Sequence, residues 1–249
     1  GRVAVHGRPI LAEAAVLDEQ HGTRYAERLA QKVAISYPAI DTSAYLGLAD
    51  ADVDAHLAAR GLVRDGYVFF LSRLAAAKGV DDLVDGFAAS RLDGYRLVVA
   101  GRGPLAEAFR AHAAASPVAD RVVFLDDVGD DEKPYLMAGA AAYVLPSKPR
   151  PEFVETFGIA LVERMLAGVG PVITTETGGI GEAVGDCALI VGVEDPAAIA
   201  AAIDHAVLTM TEDERRALEV RARSHAERFD RTVVYERLIA RTPSPESVV

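Results

Sequence analysis

The stretch Tyr67-Val-Phe-Phe-Leu-Ser-Arg-Leu-Ala-Ala-Ala-Lys-Gly-Val80 decides how the chain is read. Its first five residues form a short apolar run suited to a strand. A brief polar step with two cations, Arg73 and Lys78, follows, and from Val80 the apolar residues take up a helical period. Strand, turn and helix in that order make one βα unit, and a chain built from such units forms a parallel sheet.

Working outward, the same alternation recurs down the chain. Strands are expected at 67–71, 96–100, 122–125, 142–145, 171–174 and 188–191, with helices between them at 80–89, 105–115, 132–138, 157–167 and 180–184. After the last strand only helices remain: Asp195-Pro196 opens one, Thr211-Glu-Asp-Glu214 carries the capping pattern of the next, and a third lies near 232–240 before a frayed Pro-rich tail. The expected class is α/β: a Rossmann-like, doubly wound parallel sheet of about six strands with extra carboxyl-terminal helices. Three regions are expected: 1–60 as an appendage, 61–210 as the ligand-binding domain, and 211–249 as carboxyl-terminal helices and tail. Within the first, 23–31 reads as helical, 32–41 as strand-like and 50–60 as an exposed, Ala- and Asp-rich helix.

Composition excludes several classes. The chain has 249 residues, 51% hydrophobic and 25% charged, which suits a globular protein with a large core. Its 37 acids against 26 bases give a net charge of −11, opposite to what a nucleic-acid-binding surface needs. No apolar run approaches the ~18 residues of a membrane span, and the amino end lacks the apolar region of a signal peptide. The lone Cys187 sits in an apolar run and is read as a small core residue, which fits a reducing, cytoplasmic setting. Neither the six histidines nor any serine shows the spacing of a metal site or a nucleophile elbow, so no metal and no cofactor are expected.

In an open parallel sheet, ligands bind beyond the carboxyl ends of the strands. Arg73 and Lys78 follow the first strand, where a helix begins; they read either as a diphosphate site or as two solvated surface bases. Gly101-Arg-Gly103-Pro104 follows the second and reads as a βα turn or as a place of close ligand approach. After the fourth come Pro146-Ser147 and then Glu155-Thr156-Phe157-Gly158-Ile159, with Glu163 inside the ensuing helix. The amides of Phe157, Gly158 and Ile159 are unpaired donors at a helix start, and the two carboxylates suit the paired hydroxyls of a sugar. The bland alternative is a cap for Glu155 and a core-edge ion pair for Glu163. Gly178-Gly179 after the fifth strand allows close approach of a ligand or a facing domain, or simply a tight turn.

Taken together, Ser72-Arg73-x4-Lys78-Gly79, Gly101-Arg-Gly-Pro104, Pro146-Ser147, Glu155-x-Phe-Gly158 with Glu163, and Gly178-Gly179-Ile-x-Glu182 resemble the carboxyl-terminal domain of glycosyltransferase family 4. The resemblance runs from about Lys32 to Ala240 and includes that family's Glu-x7-Glu motif. It implies the two-domain GT-B fold and a metal-independent, retaining transferase that uses a nucleotide-sugar donor. It implies further that Arg73 and Lys78 neutralise the donor diphosphate, that Glu155 holds the donor sugar and that Glu163 holds the ribose. By the same analogy Thr156, Phe157, Gly158, Ile159 and Gly103 lie against the donor and Val128 neighbours the base. The wording around 147–158 is most similar to the transferases that glycosylate 2-deoxystreptamine in aminoglycoside antibiotic pathways, which implies a UDP-N-acetylglucosamine or UDP-glucose donor and an aminocyclitol acceptor.

Two departures from the family pattern stand out. Residues 148–154 intervene where the family has only a few, and they are expected to shape the sugar or acceptor pocket. Only about 60 residues precede the donor domain, so a missing amino-terminal acceptor domain is the expected partner and the isolated chain is expected to bind donor without turnover. The other readings are a non-catalytic nucleotide-sugar-binding module and a nucleotide-sugar epimerase on the same architecture.

Overall fold

A computed structural model describes residues 3–6, 9–30, 33–151, 153–168 and 170–241. The core of the molecule is a six-stranded, wholly parallel sheet made by β3 (Tyr67–Leu71), β4 (Arg96–Ala100), β5 (Val122–Leu125), β6 (Ala142–Leu145), β7 (Val172–Thr175) and β8 (Leu189–Val191). The strands lie in the order β5-β4-β3-β6-β7-β8. That order runs outward in one direction from β3 and in the other from β6, so the topology switches between them. The six strands expected from sequence are all present, and four have the expected bounds.

Tyr67, Val68, Phe69 and Phe70 of β3 and all four residues of β6 are buried, because helices cover both faces of the sheet. Fully burying an apolar side chain of this size is worth about 1.5–3 kcal/mol. Tyr143 in β6 donates its hydroxyl to the Leu71 carbonyl at 2.8 Å, which satisfies the one polar atom it brings into the core.

The crossover helices are α4 (Val80–Ala89), α5 (Ala106–Ala115), α6 (Lys133–Gly139), α7 (Ile159–Ala167) and α8 (Ile180–Val184). Beyond β8 come α9 (Pro196–Asp204), α10 (Glu212–Ala226) and α11 (Arg231–Arg241). Asp195 caps α9 by accepting from the Ala198 amide at 2.9 Å. Thr211 and Glu214 form the anticipated reciprocal capping box on α10. The Pro-rich tail lies outside the described residues.

Ahead of the main sheet, β1 (Val3–His6), α1 (Pro9–His21), α2 (Tyr25–Ala30) and β2 (Val33–Ser36) form a second, two-stranded parallel unit. Neither β1 nor α1 was expected from the sequence. Next comes α3 (Asp50–Ala59), which corrects the expectation of an exposed helix. Val53 and Leu57, four residues apart and therefore on one face, are 2% and 1% exposed against α6. Gly139 permits the approach: a Cβ there would stand 2.4 Å from Leu57 Cδ1. The His56 ring stacks on Tyr135 with centroids 3.8 Å apart.

Between α3 and the two-stranded unit the chain is fastened to the carboxyl-terminal region. Tyr37 packs against Phe157 and Phe229, Ile40 pairs with Asp230, and Thr42 donates to Asp230 at 2.7 Å. Within α7, Arg164 is 1% exposed and donates to the carbonyls of Met137 and Ala140, tying α7 to the end of α6. Burial lowers its pKa to about 10. Cys187 is buried as expected, its thiol pushed up to about 11 by burial.

Candidate functional site

The switch between β3 and β6 brings together the loop 72–79 and the loop 146–158. Lys78, 9% exposed, donates to Glu155 Oε2, and its ammonium lies 4.6 Å from the centre of the Phe153 ring. Pairing with Glu155 compensates the cost of burying both charges. Beside this pair opens a cleft of about 260 Å³ lined by Lys78, Glu155, Thr156, Gly158 and Ile159, with Pro38 and Ser72 on its near wall.

The floor of the cleft is the start of α7. Gly158 caps it at φ +90°, a left-handed conformation costly for any residue with a Cβ, and a Cβ there would also meet Leu161 at 2.7 Å. Amides of a first helical turn have no intrahelical acceptors, so this end offers free donors and the positive end of the helix dipole. Phe157 also lines the cleft, although its side chain is only 2% exposed and packs with Tyr37 and Phe229. Thr156 and Ile159 are exposed at the rim.

Other expected site residues stand elsewhere. Arg73 is exposed, lies outside the cleft walls and makes no side-chain bond to another described residue. The two glycines of 101–103 serve backbone packing against the loop after β3: a Cβ on Gly101 would meet the Ser72 carbonyl at 2.0 Å, and one on Gly103 the Leu74 carbonyl at 2.2 Å. Val128 is partly buried beyond the carboxyl end of β5, two strands from β3. Gly178 and Gly179 approach the motif loop itself, since Cβ atoms there would meet the carbonyls of Glu155 and Thr156 at 2.1 and 1.9 Å. The Gly179 amide also donates to the Glu155 carbonyl at 2.8 Å.

Glu163, 8% exposed, does not line the cleft. It accepts from Lys133 Nζ at 2.7 Å, at the first residue of α6, and the same ammonium lies 5.8 Å from the centre of the buried Tyr45 ring. Burial and then the nearby Glu163 charge push the Tyr45 phenol far up. Lys133 and Tyr45 were not found by sequence reasoning. The only sequence signal for Lys133 is a cation opening a helix three residues after Asp130, which is too common to single out.

Within the inserted run after Ser147, Phe153 stands beside Lys78 while Lys148 is turned away. Lys148 does not face the cleft: it is 4% exposed, and its ammonium reaches Asp81 at 3.0 Å and Asp82 at 2.8 Å, with Glu194 3.9 Å away. The Asp82 carboxyl is raised, by desolvation first, and the Lys148 ammonium is also raised because bonds to both aspartates outweigh desolvation.

A larger depression of about 420 Å³ lies between Gly168, Glu219 and Arg223, at the far end of α7. It opens where the chain enters β7, at the amino ends of the strands, where doubly wound folds do not bind their ligands. Among the described residues no group of three or more His, Cys, Asp or Glu side chains is placed to hold a metal ion, and no helix is long and apolar enough to cross a membrane.

This architecture and crevice define the class. The fold matches HepE of Anabaena, solved with UDP and glucose, with a TM-score of 0.79 at 21% identity over 96% of this chain and 62% of that one. It matches WaaG, a glycosyltransferase involved in lipopolysaccharide biosynthesis, with a TM-score of 0.73 at 20% identity over 98% and 63%. These likenesses establish the Rossmann-like half of a GT-B fold. The family described as "Glycosyl transferases group 1" matches residues 57–225, and the chain belongs to that family.

Two relatives carry the likeness into sequence. A GDP-mannose-dependent alpha-(1-6)-phosphatidylinositol monomannoside mannosyltransferase of Mycobacterium tuberculosis is 40% identical over 121 residues, 47% of this chain and 31% of the relative. A D-inositol 3-phosphate glycosyltransferase of Salinispora tropica is 30% identical over 223 residues, 81% of this chain and 44% of the relative. The chain thus spans less than half the length of either. Both are named for mannosyl or inositol-phosphate chemistry, not for the 2-deoxystreptamine expected from the wording of 147–158.

Proposed function

We propose that the chain is the donor-binding half of a retaining glycosyltransferase that moves a hexose from UDP-N-acetylglucosamine or UDP-glucose to an aminocyclitol. The observation that carries this reading is the Lys78–Glu155 pair beside the open start of α7, at the topological switch of the sheet. Family membership supports glycosyl transfer. The acceptor class draws support from the relative named for D-inositol 3-phosphate, because an inositol and an aminocyclitol share a polyhydroxylated six-carbon ring.

In this reading the diphosphate of the donor displaces Glu155 from Lys78. The ammonium then faces the oxygens on which negative charge grows as the bond from the anomeric carbon to the β-phosphate oxygen breaks, and the α7 amides add to that stabilisation. Arg73, exposed and uncommitted, swings in from the loop after β3. Glu155, once released, accepts from sugar hydroxyls, and Glu163, fixed by Lys133, is assigned to the ribose by analogy with the family motif, the nucleoside then extending past the walls formed by Lys78 and Glu155. The acceptor oxygen bonds to the anomeric carbon on the face the phosphate leaves, its proton passes to the departing phosphate oxygen, and UDP is released. No carboxylate nucleophile and no metal are required.

Titration calorimetry tests the reading. The protein is expected to bind UDP, and Lys78→Ala to weaken that binding by roughly 1–3 kcal/mol, the scale of a charge-assisted bond. Equal affinity in the two proteins would sink the assignment of the cleft to the diphosphate.

A further inference from the structure

Two loops meet beside the crevice and each brings one member of its charged pair, Lys78 before α4 and Glu155 before α7. Nothing local fixes their separation, because the residues are 77 positions apart. The loops are nevertheless in contact over a short stretch. A Cβ on Gly79 would stand 2.2 Å from the Pro146 carbonyl, the Lys148 amide donates to the Ala77 carbonyl at 2.9 Å, and Thr175 of β7 donates its hydroxyl to the Ser147 carbonyl.

Lys148 is the centre of this seam. Its backbone is bonded one residue before Lys78, and its ammonium, 3% exposed, is held by both oxygens of Asp81 and one of Asp82 in the first turn of α4. Glu194, between β8 and α9, closes a third side at 3.9 Å and is itself bound by Arg150 at 2.7 Å. An ammonium facing the start of a helix meets the positive end of the dipole, so the placement is tolerable only because the two aspartates intervene. A buried ion cluster of this kind adds little net stability over apolar packing, but it admits few alternative geometries.

We propose that Lys148 is a positioning residue: clamped on Asp81 and Asp82, it sets the position of Lys78 against Glu155 beside the cleft and thereby the affinity for a nucleoside diphosphate. The proposal rests on the reading of the cleft given under Proposed function, yet its structural half, coupling of Lys148 to Lys78, is measurable without any ligand. Only six residues separate Lys148 from Glu155, so releasing the clamp lets the whole motif loop shift against α4.

The test compares wild type with Lys148→Arg and with the triple variant Lys148→Met, Asp81→Asn, Asp82→Asn, which removes the cation without stranding carboxylates. Two signals are read: UDP and GDP binding by calorimetry, and hydrogen exchange of the Lys78 ammonium by NMR of ¹⁵N-lysine-labelled protein. The triple variant is expected to melt near wild type, to bind UDP about tenfold more weakly, and to expose Lys78 to fast exchange, while Lys148→Arg stays close to wild type. A triple variant with native melting, native UDP affinity and unchanged Lys78 exchange would overturn the proposal. If wild type binds neither nucleotide, the function proposed above fails, while faster Lys78 exchange in the triple variant still upholds the coupling and unchanged exchange rejects it. Should the triple variant not fold, Asp82→Asn alone is read by the same Lys78 signal, with an intermediate rise expected and no change rejecting the coupling.

Discussion

Two lysine–glutamate pairs sit at the carboxyl edge of the sheet and differ in how they are held. Lys78–Glu155 joins two loops, lines an open cleft and has the Phe153 ring beside its cation. Lys133–Glu163 joins two helices, lies outside the walls of the cleft, and has the Tyr45 ring beside its cation. The first pair can exchange partners at small structural cost because only loops must move; the second cannot, because its members belong to packed helices. The function proposed above uses both: a cation that trades a carboxylate for phosphate, and a carboxylate that waits in a fixed place.

The sharpest way to break this contrast is to neutralise each carboxylate in turn. Glu155→Gln is expected to strengthen UDP binding several-fold, since Lys78 no longer has to leave a charged partner. Glu163→Gln is expected to weaken it about tenfold by removing a charged acceptor. Calorimetry showing both shifts in the same direction would dissolve the distinction.

A smaller effect is expected at the ring beside the fixed pair. Tyr45→Phe removes a buried hydroxyl near Glu163 while keeping the ring beside Lys133, and should cost no more than about 1 kcal/mol of stability in urea unfolding, with a change in UDP affinity smaller than that of Glu163→Gln. An affinity loss equal to that of Glu163→Gln would mean that the phenol, not the carboxylate, is what matters there.

The smallest effect separates both pairs from the acid sensitivity of the fold. His225 packs edge-on against Phe229, lies 3.3 Å from the Glu182 carbonyl, and has its pKa lowered below the usual 6.5, chiefly by burial. The neutral ring is the one the fold favours, so its contribution is complete above pH 6.5 and is lost as pH falls from 6.5 through the lowered value. His225→Asn should therefore show a smaller drop in melting temperature between pH 7.5 and 5.5 than wild type does. An unchanged drop would place the acid sensitivity elsewhere.

How far the sequence could be read follows from the range of the interactions involved. β3, β4, β5 and β6 and helices α4 and α8 fall where their patterns place them, because strand and helix periodicity is local, and so is the capping box of Thr211 and Glu214. In the unit ahead of the main sheet, α2 and β2 fall within the expected 23–31 and 32–41, whereas β1 and α1 have no counterpart in the sequence expectation. The burial of α3 was missed because two apolar residues among alanines and aspartates carry no visible stripe.

At the site, the order of residues along the chain was enough to bring Lys78, Glu155 and the start of α7 to one crevice, since a doubly wound sheet delivers every strand end to the same edge. What each charge touches was a matter for the tertiary structure alone. Glu163 meets Lys133 across 30 residues, and Lys148, a surface base by composition, is buried against acids 66 and 67 residues away. Composition and periodicity act within a few residues and therefore determined the strands, the helices and the edge on which the site lies. Ion pairs form through space, so only the folded chain decided which carboxylate each of Lys78, Lys133 and Lys148 meets.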